Sequence, residues 1–73
     1  MKTKLDLSTV KNEVEREIIQ LIHEKEQCMM GDIIMHLKLS YQRGKAYISS
    51  LESKNVVTNR DKAPFYTLNV DLS

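Results

Sequence analysis

The sequence predicts one small α+β domain: three helices followed by an antiparallel β-hairpin. Two observations lead to this prediction. Apolar residues recur at helical spacing up to about residue 54, and two runs rich in β-branched and aromatic residues follow. The 73 residues are 41% hydrophobic and 29% charged, which is typical of a globular domain. A chain this short buries only about 60% of its unfolded surface, so a deep substrate pocket is not expected.

The first helix is expected to follow an N-terminal tail. We assign residues 1–7 to the tail, with an extended Leu5-Asp6-Leu7 at its end, and residues 8–73 to the domain. Ser8 or Thr9 is a suitable N-cap for this helix. One helical face then carries the apolar residues Val10, Val14, Ile18, Leu21 and Ile22.

A short strand and a short helix come next. The apolar run Cys28-Met29-Met30 predicts a strand of two or three residues. Gly31 or Asp32 opens the second helix, which continues through Leu37. The segment Lys38-Leu39-Ser40 is then the turn that precedes a third helix.

The third helix is predicted to run from the N-cap Ser40 to about Lys54. Its buried side carries Gly44, Ile48 and Leu51, at spacings of four and three. A glycine inside a helix costs about 1 kcal/mol relative to alanine, so Gly44 indicates close approach of a neighbouring helix. Asn55 is expected to end the helix in the left-handed conformation.

The C-terminal segment predicts a hairpin. Residues 56–58 and 65–70 are β-rich, residues 59–64 connect them, and Tyr66, Leu68 and Val70 alternate toward the core. Helix, short strand, helix, helix and hairpin in this order are typical of a winged helix-turn-helix, with residues 59–64 as the wing.

The charge is unevenly divided. Up to Leu37 the chain has five cationic and seven anionic side chains, and after it six and three, so the two parts carry about −2 and +3. The cations after Leu37 are Lys38, Arg43, Lys45, Lys54, Arg60 and Lys62. Because phosphate attraction depends on the local field, this surplus favours weak, salt-sensitive binding of nucleic acid. An ordinary solvated surface is the alternative.

The start of the third helix carries the residue types that read DNA bases. A polar and cationic helix start after a turn is how a helix-turn-helix presents its recognition helix to the major groove. The candidate DNA-binding residues are Lys38, Ser40, Tyr41, Gln42, Arg43, Lys45, Ala46, Ser49, Arg60 and Lys62. Lys54, at the far end of the helix, is expected only to complement the helix dipole.

Roles follow from residue chemistry. Gln42 can pair with an adenine edge, Arg43 or Lys45 can reach guanine or a phosphate, and Ser49 can contact either. Arg60 and Lys62 in the wing would hold flanking phosphates. Two of these residues have structural alternatives: Arg43 could tie the helix start to the backbone, and Tyr41 could pack on the turn rather than bond a phosphate.

The stretch from Met30 to Val57 resembles the gamma domain of the FtsK/SpoIIIE DNA translocases. The sequence Leu-Lys-Leu-Ser-Tyr-Gln-Arg at residues 37–43 is close to the family's Leu/Phe-x-Ile-Gly-Tyr-Asn-Arg, and Val56-Val57 matches its Ile-Val. With a weaker match over residues 14–25, the resemblance covers about two thirds of the chain. It implies a winged helix that reads polar DNA motifs which orient chromosome pumping.

The chain departs from that family in two respects. The family's base-facing Asn, Arg and Glu are replaced by Gln42, Ala46 and Ser49. Alanine cannot supply the fork that reads guanine, so the family's sequence preference is not carried over. No GxxxxGK[ST] motif for an ATPase motor is present either. We therefore expect a chain that binds double-stranded DNA without pumping it, as a transcription regulator or a DNA-processing accessory.

Other chemistry is not expected. The spacing of His23, Cys28 and His36 matches no zinc pattern, and a cysteine–histidine nucleophilic pair would lack an oxyanion loop, so the prediction is a non-enzyme without metal or cofactor. With one cysteine, no secretory signal and no apolar stretch of about 20 residues, the expected location is the cytoplasm, without membrane insertion.

The rival hypothesis is a winged-helix module that binds protein rather than DNA. Met29, Met30 and Met35 could form an adaptable contact surface, although methionine fills cores more often. A single winged helix contacts little DNA, so we expect a homodimer or a larger protein partner. The first helix, or the tail with Leu5 and Leu7, would supply that contact.

Overall fold

A computed structural model describes residues 3–60 and 62–72. In chain order its elements are β1 (Thr3–Leu5), a 3-10 turn (Leu7–Thr9), α1 (Glu13–Lys25), α2 (Met30–Leu37), α3 (Tyr41–Ser53), β2 (Val57–Thr58), β3 (Thr67–Leu68) and β4 (Val70–Leu72). The described residues thus contain three α-helices and a small antiparallel pair of strands, which confirms the α+β class. The Ala63–Pro64 peptide bond is cis.

The three helices and the strands share one apolar core. Its buried side chains are Ile18, Ile19, Leu21, Ile22, Cys28, Ile33, Ile48, Leu51, Val56, Val57 and Val70. Four of them come from α1, which is therefore the central element of the packing. Ile19 was not part of the predicted apolar stripe, and it is completely buried because α1 contacts the rest of the chain over a broader face than one narrow stripe.

The prediction for the start of α1 is wrong by several residues. Ser8 and Thr9 lie in the 3-10 turn, which Asp6 begins by accepting a hydrogen bond from the Ser8 N–H at 3.0 Å. Hydrogen bonds from Ser8 also lower the pKa of Asp6. The N-cap of α1 is Asn12, whose Oδ1 accepts the Glu15 N–H at 3.0 Å. The correction arises because several cap-forming side chains precede this helix, and Asn12 is the one that caps it.

The N-terminal segment is part of a sheet rather than only a tail. Thr3–Leu5 pairs in parallel with Val70–Leu72, with Thr3 opposite Val70 and Leu5 opposite Leu72. The extended part of the predicted tail therefore lies earlier than Leu5-Asp6-Leu7, and it is held by the other end of the chain. Residues 1 and 2 lie outside the described residues.

The strand predicted at residues 28–30 is reduced to a single bridge. The Cys28 N–H donates to the Tyr66 carbonyl at 3.0 Å, and the Tyr66 N–H donates to the Cys28 carbonyl at 2.7 Å. Met29 is already the N-cap of α2, and its N–H donates to Asp32 Oδ2 at 3.1 Å. Met30 is consequently helical, which corrects both the strand and the predicted start of the second helix. Burial raises the pKa of the Cys28 thiol.

The connection from α2 to α3 agrees with the sequence prediction. Lys38 ends α2 in the left-handed conformation with φ of 56°, and Ser40 caps α3 by accepting the Arg43 N–H on its Oγ at 3.2 Å. Gly44 is buried against α2, where the Cγ2 methyl of Ile34 occupies the space that a Cβ at position 44 would need. Asn55, with φ of 62°, follows α3 as predicted.

The predicted hairpin is present but short. Val57 lies opposite Leu68 and Thr58 lies opposite Thr67 in antiparallel register. The run from 65 to 70 does not form one continuous strand, because Asn69 turns its N–H to the Val56 carbonyl at 2.7 Å and β4 begins after it. Tyr66, Leu68 and Val70 pack on the core, as the alternation predicted.

Candidate functional site

The helix α3 has one face in the core and one face in solvent. Gly44, Ile48 and Leu51 are buried. The opposite side is exposed and carries Gln42, Lys45, Ala46, Ser49 and Ser53, with Arg43 beside them. We call these six residues the outer face of α3. Alanine and serine are small, so another molecule can approach the helix backbone closely along this face.

The polar side chains of the outer face are largely unused by the fold. Within residues 3–60 and 62–72, the side chains of Gln42, Arg43, Lys45 and Ser49 make no hydrogen bond or ion pair. Their donors and acceptors therefore point to solvent. Of the structural role considered for Arg43, only its backbone N–H, bonded to Ser40, contributes to the helix start.

Two other candidate residues at the start of α3 behave differently from each other. Ser40 is exposed, but its hydroxyl oxygen is engaged as the N-cap, so the fold already uses the group that was predicted to bind DNA. Tyr41 is 58% exposed, which leaves much of its ring in solvent rather than packed on the turn. Lys38 is exposed at the end of α2 in the turn before α3.

The charge changes along α3. Its first turn contains no acidic residue, and Arg43 and Lys45 lie near this end, where the helix dipole is positive. The far end carries Glu52 and, at the C-cap, Lys54, whose ammonium is paired with Glu15 of α1. An approaching anion is therefore favoured more at the start of α3, where the cations are unpaired, than at its end, where Lys54 is paired with Glu15.

Glu15 is a functional candidate that the sequence analysis missed. It is the one charged residue classed as buried in the described chain, 9% exposed, and its Oε1 accepts from Lys54 Nζ at 3.2 Å. The prediction that Lys54 only complements the helix dipole thus omitted its ion pair. The partners are 39 residues apart, so no local sequence signal could have joined them.

Glu15 also borders the outer face. Together with Arg43, Ala46, Tyr47 and Ser50 it lines a shallow cavity on the side of α3 that faces α1. The Glu15 carboxylate in this cavity disfavours the approach of a phosphate along that flank of α3.

The two cations that were predicted to form a wing, Arg60 and Lys62, are not placed alike. Arg60 is exposed, and its backbone N–H donates to Thr58 Oγ1 at 3.3 Å. Lys62 lines a cavity whose other residues come from α1 and the strands, Ile22, His23, Glu26, Thr67, Leu68 and Val70, and not from α3. The structure thus brings Lys62 beside the end of α1. Residue 61, between the two cations, lies outside the described residues.

Tyr66 lies at the end of the connection between β2 and β3, near Glu52 and Tyr41 of α3. Burial raises the pKa of its hydroxyl, and the Glu52 carboxylate and the Tyr41 hydroxyl act in the same direction. The phenol therefore stays protonated at neutral pH and adds no negative charge beside α3.

Among residues 3–60 and 62–72, no three His, Cys, Asp or Glu side chains come together in a group that could hold a metal ion. The described helices include none long and apolar enough to cross a bilayer. Comparison of the chain with protein-family models, curated proteins and solved structures found no match.

Proposed function

We propose that this chain is a winged helix-turn-helix domain that binds double-stranded DNA, with α3 in the major groove and residues 59–64 as a wing on the phosphate backbone. One observation carries the proposal. The outer face of α3 presents Gln42, Arg43, Lys45 and Ser49 to solvent without using their side-chain polar groups in the described fold. Groups of this type at the start of an exposed helix are those that contact base edges and phosphates.

The roles divide by chemistry. Gln42 offers an acceptor and a donor for the N6 and N7 edge of adenine, and Arg43 or Lys45 supplies donors for guanine or phosphate. Ala46 and Ser49 admit the DNA to the middle of the helix because they are small. Lys38 precedes α3 in the sequence and Arg60 follows it. Both are exposed, so both are available to contact phosphates.

The charge distribution along α3 supports the same orientation. Unpaired cations lie near its start, whereas Lys54 at its far end is paired with Glu15, so the start of the helix is the end that should enter the groove. The resemblance of residues 30–57 to the gamma domain of the FtsK/SpoIIIE translocases points to the same helix. Lys62 is the weakest member of the proposed site, because it lies beside Glu26 rather than α3.

A single domain of this kind covers only about 600 to 1,000 Å² of protein surface on DNA, so tight binding requires a second module. We propose a homodimer or a larger protein partner for that reason. The corresponding biological role is a cytoplasmic regulator of transcription or an accessory of DNA processing.

The test is selection of bound sequences from random duplex DNA at two salt concentrations, followed by binding measurements on variants. Replacing Arg43 and Lys45 together by Gln should weaken binding to all duplexes and reduce the salt slope by about 0.9 for each of the two that contacts a phosphate. The matched control replaces Lys11 and Lys25, two exposed cations outside the site, in the same way. Equal binding by both double variants would contradict the proposed interface.

A second candidate function is binding to another protein through α2. Met35 is 80% exposed and Met29 is 42% exposed, and exposed methionine side chains are adaptable contacts for a partner protein. Replacing both methionines by Gln should leave DNA binding unchanged if the first proposal holds. Selection that enriches no DNA sequence, together with loss of self-association in this variant, would favour the second.

A further inference from the structure

The ion pair between Glu15 and Lys54 occupies the far end of the proposed recognition helix. Lys54 Nζ lies 3.2 Å from Glu15 Oε1, and the two side chains differ sharply in exposure, 57% for Lys54 and 12% for Glu15. The carboxylate is thus fixed in the protein, and the lysine is the member that reaches toward solvent. Lys54 directly follows the last residue of α3 as its C-cap.

A cation at this position would ordinarily contact DNA. In related docking geometries the C-terminal end of the recognition helix lies against the sugar-phosphate backbone, where a lysine adds affinity without reading sequence. The ion pair with Glu15 competes with that contact. The remaining cations of α3, Arg43 and Lys45, are at its start and have no carboxylate bound to them in the described chain.

On the basis of the proposed function, we propose that Glu15 withholds Lys54 from the DNA backbone, so that cationic contact is confined to the start of α3. Glu15 is a positioning residue in this inference, since it acts through Lys54. Its effect is on specificity: sequence-independent affinity is kept low, and base contacts made by Gln42 and its neighbours form a larger share of the total.

The shallow cavity beside α3 strengthens this assignment. Glu15 lines it with Arg43, Ala46, Tyr47 and Ser50, so the same carboxylate also faces the flank along which a phosphate would pass. An exposed acid would be screened by salt and would exert this effect weakly. Glu15 is buried, and its charge is therefore felt more strongly at this flank.

The test compares salt slopes for binding to a random duplex. Glu15→Gln should increase the slope by about 0.9, because Lys54 becomes available to one phosphate. Affinity for the random duplex would then fall about 3.5-fold more than in the wild type between 50 and 200 mM salt. Preference for the selected sequence over the random duplex should decrease.

Three further variants separate this effect from simpler ones. Glu24→Gln removes an exposed carboxylate on the other half of α1 and matches the change in net charge, and its slope should equal that of the wild type. Lys54→Met should also leave the slope unchanged, since the lysine paired with Glu15 contacts no phosphate in this inference. The double variant Glu15→Gln with Lys54→Met should return to the wild-type slope.

The outcomes are distinct. An increased slope in Glu15→Gln that persists in the double variant, or an unchanged slope in Glu15→Gln, overturns the inference while DNA binding by the wild type stands. If neither the wild type nor Glu15→Gln binds any duplex, the proposed function fails and this inference fails with it. Circular dichroism of each variant verifies folding. Should Glu15→Gln unfold, a lower slope in Lys54→Met would by itself overturn the inference.

Discussion

The two faces of α3 show opposite relations to the rest of the molecule. The inner face, Gly44, Ile48 and Leu51, is buried against α1, α2 and the strands. The outer face is exposed, and most of its polar groups have no partner among residues 3–60 and 62–72. A 13-residue helix is thus held by packing on one side, and the side chains on its other side are not needed for that packing. Substitutions on the two faces should therefore affect different measurements.

The largest expected effect is on the inner face. Ile48→Ala should lower the free energy of unfolding by about 2–5 kcal/mol, because it leaves a cavity among fully buried side chains. Ser49→Ala, one residue further along the same helix, should change it by no more than about 0.5 kcal/mol. Chemical denaturation of both variants checks this. Similar values for the two would mean that the faces are not separated as described.

The outer face should show its effect in DNA recognition. Gln42→Ala should reduce discrimination for the preferred base by about 1–3 kcal/mol while leaving stability nearly unchanged, since its side chain is exposed. Lys62→Gln should weaken binding to all duplexes about equally and lower the salt slope by about 1. Competition binding with single-base variants of the selected site measures both.

The Lys62 variant also tests the wing. Lys62 lines a cavity with His23 and Glu26 at the end of α1. An unchanged salt slope in Lys62→Gln would assign this lysine to that cavity and leave Arg60 as the wing contact. Loss of sequence preference in Lys62→Gln would contradict the division between base-reading and phosphate-binding residues.

Gly44 gives a smaller effect on the inner face. A Cβ at this position would meet Cγ2 of Ile34, and overpacking of this kind costs about 1–3 kcal/mol. The better helix propensity of alanine returns about 1 kcal/mol, so we expect Gly44→Ala to destabilise the domain by about 1 kcal/mol. Thermal unfolding measures it, and Ile34→Ala in the same chain should remove the clash. A Gly44→Ala variant more stable than the wild type would contradict the close approach of α2 and α3.

The features that sequence could predict are those with a local signal. The turn that begins at Lys38, the N-cap Ser40, the close approach at Gly44 and the left-handed Asn55 each depend on residues within one or two helical turns. The exposure of the outer face followed from the same periodicity. What the outer face binds stays a prediction, because most of its polar side chains have no partner in the described fold that would indicate a ligand.

The features that sequence could not predict depend on partners far away in the chain. Thr3–Leu5 pairs with Val70–Leu72, and Glu15 binds Lys54. In both cases the sequence around one partner does not indicate the other. Strand pairing of two or three residues also carries too little periodicity to be distinguished from a tail. The start of α1 was misplaced for a different reason, since Ser8, Thr9 and Asn12 are all acceptable caps and packing selects one of them.

Ser40, the N-cap of α3, yields the smallest predicted effect on stability. It was expected both to cap α3 and to bind DNA, and the cap is confirmed, since its Oγ accepts the Arg43 N–H at 3.2 Å. Ser40→Ala should cost stability at the lower end of the range of about 0.5–2 kcal/mol, because the hydroxyl is exposed and the bond is long. Ser40→Asn keeps a capping acceptor and should retain wild-type stability. If Ser40→Ala instead weakens DNA binding without changing the unfolding transition, the Ser40 hydroxyl contacts DNA, and Ser40 belongs with the outer face of α3.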